Sequence, residues 1–189
     1  MKILVACEFS GIVRNAFALL GHDAWSCDLL PSELPGNHIQ DDVLKHLNEG
    51  WDMMIAHPPC KYLSFAANRV WNTPGRYIER IRAVNFALEL MSAPIDKICI
   101  ENPNGYLNQI IPHSQLIYSN WFNCKDKKRI MLWLKNLPPL ISTAYYNALP
   151  SSRNAKGSTT YYVHKFNSGD KNRSKFFPGV AAAMANQWS

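Results

Sequence analysis

The sequence predicts an α/β protein with a single Rossmann-like, doubly wound and mostly parallel sheet. Short apolar strands alternate with helical segments through the first half of the chain, and one long helix stands out by its apolar spacing. Polar clusters follow several of the strands directly. Because ligands of such sheets bind beyond the carboxyl ends of the strands, these clusters form the candidate site.

The first half of the chain supplies the alternating elements. Apolar runs predict strands at residues 2–6, 23–27, 53–56 and 97–100. Helical spacing predicts helices at residues 11–20 and 76–91. The second helix is expected to bury one apolar face, made of Ile78, Ile81, Val84, Leu88 and Met91. A polar loop is predicted at residues 31–40, and a short helix or turn at residues 42–47.

The pattern changes after residue 106. Residues 129–134 predict a further strand, and residues 177–188 predict a closing helix. Between them, residues 151–174 are rich in Ser, Asn, Gly, Lys and Arg and predict a basic loop with room for one short hairpin. The chain shows no internal repeat and no interdomain linker, so residues 1–189 are expected to form a single domain.

Composition narrows the class of protein. The five cysteines are scattered without a CxxC pair, which argues against a disulfide framework and a metal site. Three of them, Cys7, Cys27 and Cys99, lie in or beside apolar runs and are expected to be buried thiols. The net charge of +6 fits a polyanionic partner. No apolar run is long enough to span a bilayer and no signal peptide is visible, so a cytoplasmic protein is expected.

One polar cluster fits a nucleoside-type cofactor. Gly11, at the turn after the first strand, lets the backbone approach a ligand, and the following helix N-terminus favours a carboxylate or phosphate. Asp28 ends the next strand, where such folds place a carboxylate on ribose hydroxyls. Asp42 either reaches an adenine amino group or caps an exposed helix.

Two further clusters fit covalent chemistry on a base. Pro58 and Pro59 fix the backbone after a strand and hold Cys60 at the mouth of the sheet, where a thiolate is a strong nucleophile. Glu101 and Asn102 follow the next strand, so Glu101 and Cys60 are expected to face one substrate. Cytosine needs this pair, because a thiolate adds at C6 more easily when a proton or donor is present at N3.

These residues resemble the small, phage-type relatives of the DNA cytosine-5 methyltransferases. Residues 9–13 resemble the cofactor motif Phe-x-Gly-x-Gly, residues 58–60 the catalytic Pro-Pro-Cys, and residues 101–103 the Glu-Asn-Val motif. Residues 132–139 and 173–188 are similar to the closing segments of the phage subgroup, so the resemblance covers nearly the whole chain. It implies a class I methyltransferase fold, S-adenosylmethionine as cofactor and DNA as partner.

The resemblance also implies roles for individual residues. Cys60 would add to cytosine C6, and Glu101 would contact N3 and the exocyclic amine. The cofactor would be bound by Phe9, Ser10, Gly11, Asp28, Leu29, Asp42 and Pro58. Substrate contacts would come from Asn102, Lys128, Arg129, Arg153 and Arg173.

The chain departs from the family pattern in three places. Val13 stands where the family has a second glycine, Pro103 replaces a valine, and residues 151–174 stand in for a separate target-recognition domain. A recognition segment this short predicts that the substrate is single-stranded DNA, or duplex DNA with a flipped cytosine. Candidates to hold the opened strand are Tyr62, Phe65, Asn68, Arg69 and Trp71.

Three alternatives remain open at this stage. An amino-methyltransferase would need Asp or Asn before the two prolines and an aromatic residue after them, where this chain has His57 and Cys60. The same chemistry on RNA or a nucleotide would use the same residues. A decoy that binds nucleic acid or cofactor without turnover would keep the fold alone.

Overall fold

The computed structural model of the protein describes residues 1–65, 73–146 and 175–189 in full, and the backbone of residues 150–153 and 159–161. Its centre is a sheet of seven strands. They are β1 (Lys2–Ala6), β2 (Asp23–Asp28), β3 (His38–Gln40), β4 (Met53–Ala56), β5 (Lys97–Pro103), β6 (Gln115–Tyr118) and β7 (Arg129–Lys135).

The sheet is doubly wound and mostly parallel, as predicted. Its strand order is β3-β2-β1-β4-β5-β7-β6. From β1 the chain adds β2 and β3 on one side, and β4 and the later strands lie on the other side of β1. The five strands from β3 to β5 pair in parallel, whereas β7 runs antiparallel between β5 and β6. This arrangement is consistent with the class I methyltransferase fold that the resemblance implies.

Helices cover both faces of the sheet. They are α1 (Ile12–Ala18), α2 (Arg76–Met91), α3 (Leu107–Ile110) and α4 (Pro178–Trp188), with 3₁₀ helices at Val43–His46 and Ser119–Trp121. Successive strand residues point to opposite faces, which divides the core in two. On one face Ile3 packs with Phe17 of α1 and Met184 of α4, and on the other Leu4 packs with Leu90 of α2.

Helix α2 has the predicted bounds, and Val84 of its predicted apolar face is buried, but three other residues of that face are not. Ile78, Ile81 and Leu88, expected in the core, are exposed by 53%, 41% and 37%. The buried residues of α2 are Arg80, Val84, Ala87 and Leu90. The predicted and the observed set of residues both have helical spacing. The observed set includes Arg80, whose guanidinium donates to the Tyr62 carbonyl and stacks on the Tyr106 ring.

The other differences concern short elements. Strand β3 occupies the end of the segment predicted as a polar loop, and β6 was not predicted from the sequence. A hairpin of β8 (Pro150–Arg153) and β9 (Thr159–Tyr161) lies within the basic segment, where the sequence allowed one. Among the described residues, no helix has both the length and the apolar character needed to cross a membrane.

Candidate active site

A cavity of about 250 Å³ opens at the carboxyl ends of β1 and β2. Of the predicted cofactor residues, Asp28, Leu29 and Asp42 line it. The other lining residues are Cys7, Cys27, Asp41, Val43, Pro59 and Phe86. The cavity therefore combines three carboxylates on one side with apolar side chains on the other.

Two of the three carboxylates keep an oxygen for a ligand. Asp28 accepts a hydrogen bond from the Leu30 amide at 2.9 Å, and Asp42 accepts one from the Leu44 amide at 3.1 Å, each through Oδ1. Within the described part of the chain, Oδ2 of these two residues has no hydrogen-bond partner. Asp42 was expected either to contact adenine or to cap a helix. It caps the 3₁₀ helix Val43–His46 and also lines the cavity.

The two cysteines of the cavity are poor nucleophiles. Burial raises the pKa of Cys7 far above its ordinary value, and the charges of Asp28 and Asp42 raise it further. Burial also raises the pKa of Cys27, to about 11. Cys27 is buried as predicted, whereas Cys7 is only partly buried and has a left-handed backbone with φ of 59°. Both thiols are protonated at neutral pH, so they shape the cavity without reacting.

The N-terminus of α1 is closed by the chain itself, contrary to the expectation that it receives a ligand carboxylate or phosphate. The buried Glu8 carboxylate accepts hydrogen bonds from the amides of Val13 at 2.7 Å and Arg14 at 3.1 Å. The Ser10 hydroxyl donates to Glu8 and accepts from the Ile12 amide. The first amides of the helix are therefore already satisfied.

The turn at Gly11, which the sequence predicts to approach a ligand, packs against the side chain of Arg14. Gly11 has a left-handed φ of 73°, and a Cβ there would collide with the Arg14 guanidinium. Val13 lies inside α1 with its side chain in the core, so this position does not need the backbone freedom of glycine. Phe9 and Ser10 are buried and, like Gly11 and Pro58, lie outside the lining of the cavity.

Cys60 begins a tight turn directly after the cavity. Pro59 lines the cavity, and the next residue, Cys60, is exposed. The Cys60 carbonyl accepts hydrogen bonds from the amides of Leu63 at 3.1 Å and Ser64 at 2.9 Å. This turn presents the thiol at the surface, beside the mouth of the cavity.

The turn that carries Cys60 is fastened to the chain after β5. The Asn102 amide group donates to the Pro58 carbonyl at 2.8 Å, and the Tyr106 amide donates to the Leu63 carbonyl at 2.6 Å. Gly105 packs so closely on the Leu63 carbonyl that a Cβ there would collide with it. These contacts fix the backbone before and after Cys60 relative to the segment that carries Glu101.

Glu101 and His57 form a buried pair at the ends of β5 and β4. Nδ1 of His57 lies 3.4 Å from Oε2 of Glu101, and the ring of Phe176 packs on the imidazole at 4.6 Å between centroids. Burial raises the pKa of Glu101, but the hydrogen bond with His57 and the charge of Lys128 outweigh it, so this pKa lies below its ordinary value. The Oε1 atom of Glu101 is buried and has no hydrogen-bond partner among the described residues.

The basic residues predicted to contact substrate divide into two groups. Lys128 is partly buried over the Phe177 ring, and Arg129 is exposed and stacked on Tyr118 at the start of β7, next to the end of β5. Arg153 contributes only its backbone to β8, and Arg173 lies outside the described residues.

The candidates to hold an opened strand divide in the same way. Tyr62 is partly buried and contacted by the cations of Lys61 and Arg76, and Phe65 is exposed by 40%. Asn68, Arg69 and Trp71 lie outside the described residues.

Sequence reasoning missed Glu8, His57 and Phe86. Glu8 and His57 each precede a predicted motif by one residue, so proximity to the motif was the available signal. Phe86 reaches the cavity from α2 and belongs to no motif, and only the packing of α2 on the sheet reveals it.

Comparison with known proteins finds likeness among solved structures and not among family models or curated proteins. No protein-family model and no curated protein matches the chain. A solved structure of a prophage-encoded E. coli protein, provisionally described as a DNA modification methyltransferase, shares 12% sequence identity at a TM-score of 0.45. The match covers 81% of this chain and 56% of that protein, so the chain spans little more than half of its length.

Proposed function

We propose that this protein is an S-adenosylmethionine-dependent methyltransferase that methylates C5 of cytosine in DNA. One observation carries the proposal: Cys60 stands between the carboxylate-lined cavity, which Pro59 reaches, and the segment of Glu101, to which its turn is fastened. The cavity lining, the Cys60 turn and the Glu101 segment are thus linked at the carboxyl end of the parallel strands, which supports the assignment. The sequence resemblance supports the same assignment.

The cavity suits a nucleoside-bearing cofactor. Oδ2 of Asp28 and Oδ2 of Asp42 are available as acceptors for hydroxyl or amino hydrogens, and the apolar sides of Leu29, Val43 and Phe86 fit a flat ring. S-adenosylmethionine, when bound, supplies an electrophilic methyl group. Asp28 is the residue we assign to the ribose and Asp42 the one we assign to the adenine.

In the proposed reaction Cys60 is the nucleophile and Glu101 is a hydrogen-bond acceptor for the base. The Cys60 thiolate forms a bond to cytosine C6, and the electron pair of the C5–C6 double bond moves toward N3. N3 carries a proton taken from solvent, and Oε1 of Glu101 accepts the hydrogen bond from it. C5 would then take the methyl group from the sulfonium of the bound cofactor, which would leave as S-adenosylhomocysteine. Loss of the C5 proton to a base would expel the Cys60 thiolate and reform the C5–C6 double bond, and N3 would return its proton to solvent.

A polynucleotide is the substrate class that the charge distribution favours, and DNA is the polynucleotide that the sequence resemblance implies. Arg129 is exposed beside the end of β5, and Lys128 lies next to it. Cations at this edge can contact the phosphates that flank a target base. Single-stranded DNA remains the preferred form, and equal methylation of duplex and single-stranded oligonucleotides would contradict that preference.

The decisive experiment traps the bond to Cys60. With a 5-fluorocytosine oligonucleotide and S-adenosylmethionine, the fluorine cannot leave as a proton does, so the adduct accumulates and appears as a shifted band in a denaturing gel. We expect wild-type protein to form the adduct and Cys60→Ser to form none. Mass spectrometry of the tryptic peptide should place the bond at Cys60.

Cys124→Ser is the matched control. Cys124 is partly buried and its thiol donates to the Phe122 carbonyl at 3.5 Å, a contact that serine preserves, so this variant should form the adduct like the wild type. If wild-type protein forms no adduct and bisulfite sequencing of DNA from expressing cells finds no 5-methylcytosine, the cytosine-5 assignment is wrong. Binding of S-adenosylhomocysteine without turnover would then favour a decoy.

A further inference from the structure

Two neighbouring side chains at the ends of β4 and β5 each bury a polar atom that lacks a hydrogen-bond partner. The atoms are Nε2 of His57 and Oε1 of Glu101, while the other polar atoms of the two groups, Nδ1 and Oε2, lie 3.4 Å apart. Buried polar atoms without partners are rare in folded proteins and call for an explanation. Two polar atoms of this pair lie within hydrogen-bond distance of each other, and the other two have no partner among the residues that the structure describes.

We propose that His57 is a positioning residue, which holds Oε2 of Glu101 through Nδ1–H and thereby turns Oε1 toward the N–H groups of the substrate base. This inference rests on the proposed function. It assigns to His57 a part in the reaction that neither the cysteine nor the carboxylate can perform alone.

The sheet explains why residue 57 can reach residue 101. Ala56 pairs with Ile100 in the parallel register, so His57, the first residue after β4, lies beside Glu101, which is still in β5 and pairs with Leu132 of β7. The Phe176 ring packs on the imidazole from the segment before α4 and limits its rotation. Donation from Nδ1 leaves Nε2 of the neutral ring as an acceptor.

Three titratable or charged groups act on Glu101 from the surrounding elements. They are His57 after β4, Lys128 before β7 and Cys99 on β5 itself, whose pKa burial and Glu101 raise, so its thiol is neutral. Burial alone would keep Glu101 protonated, whereas the hydrogen bond with His57 and the Lys128 charge favour its ionised form. An ionised Glu101 favours protonation of N3, and a protonated N3 makes C6 more reactive toward Cys60.

Two substitutions separate the hydrogen bond from the packing. His57→Asn places an amide N–H near the position of Nδ1 but loses the ring that contacts Phe176. His57→Leu keeps apolar bulk against Phe176 but cannot donate. If His57 positions Glu101, Asn should retain kcat within about tenfold, and Leu should lower kcat by about 10- to 100-fold, the range seen for residues that orient a functional group.

The pH profile is a readout that packing alone does not move. His57→Leu removes the hydrogen bond that offsets the effect of burial on Glu101, so the pKa of Glu101 rises. The acidic limb of the profile of kcat against pH should therefore move to higher pH. In His57→Asn the limb should stay near that of the wild type. KM for S-adenosylmethionine should change in neither variant, because the cavity is lined by other residues.

His22→Leu is the matched control. His22 also contacts a phenylalanine, Phe17, at 5.9 Å, but it precedes β2 at the opposite end of the sheet. It should leave kcat and its pH profile unchanged. If wild type and His22→Leu are active and His57→Leu equals them in kcat and pH profile, or if Leu outperforms Asn, His57 does not position Glu101. If the wild type forms no adduct, the proposed function fails first and this inference falls with it.

Discussion

Asp28 lines the cavity, and its Oδ1 accepts a hydrogen bond from the Leu30 amide, which leaves Oδ2 for a ligand. Asp28→Asn keeps Oδ1 for the Leu30 amide but replaces Oδ2 with an amide nitrogen that cannot accept a hydrogen bond. A hydrogen bond to a charged group contributes about 1.5–3 kcal/mol. We therefore expect S-adenosylhomocysteine to bind about 10- to 100-fold more weakly, measured by titration calorimetry or by a smaller rise in Tm.

Asp23→Asn is the control for this prediction because it removes the same charge from the other end of β2. Asp23 accepts a hydrogen bond from the Trp25 indole there, at 2.8 Å. Its affinity for S-adenosylhomocysteine should match that of the wild type. Equal affinity of Asp28→Asn and the wild type would show that the ribose is bound elsewhere.

At this scale the sequence singles out the residues to which we assign the proposed reaction, whereas it assigns no role to the residues that contact them. Cys60 and Glu101 stand out because two prolines and a strand end surround them in the sequence. Glu8 and His57 depend on partners that only folding brings near: Glu8 on amides of the following helix turn, and His57 on a carboxylate 44 positions away. Their position beside a motif marks them in the sequence, but only the folded chain shows which groups they contact.

Helix α2 offers the sharpest test at the level of elements, because the sequence and the structure disagree about its buried face. Leu90 is fully buried between α2 and the sheet, whereas Leu88 is exposed by 37%. Leu90→Ala should lower the free energy of unfolding by about 2–5 kcal/mol through lost burial and a cavity. Leu88→Ala should lower it by less than about 1 kcal/mol, as is usual near the surface.

Urea denaturation of the two variants decides between the faces, and each variant serves as the control for the other. The same residue type is shortened in both, on one helix, two positions apart. Equal losses, or a larger loss for Leu88→Ala, would mean that the stripe predicted from the sequence faces the core after all.

The remaining differences at this scale have a common cause. Four of the five parallel strands, β1, β2, β4 and β5, were predictable because they form apolar runs, as in β4, where all four residues are buried. Strands β3 and β6 are short and only partly buried, so their residues form no continuous apolar run. The reversal of β7 depends on pairing with two neighbours, and the composition of a strand does not encode its direction.

At the scale of the whole molecule, the cations to which we assign the proposed DNA contacts lie near the end of β5, the strand that carries Glu101. Lys125 and Arg129 are both exposed on the segment that leads into β7 beside the end of β5. Each phosphate contact releases a counterion, so affinity falls with salt by a slope of about 0.7 per contact for single strands and 0.9 for duplexes.

Lys125→Gln and Arg129→Gln should each lower the slope of log K against log salt by about one contact, and should weaken binding to all sequences alike. Fluorescence anisotropy with a labelled single-stranded oligonucleotide at several salt concentrations measures both quantities. Lys2→Gln removes the same charge at the amino end of β1, where Nζ donates to the Glu49 carbonyl, and should leave the slope unchanged. If all three variants reduce the slope equally, binding follows net charge alone, and DNA does not lie across the edge that carries Cys60.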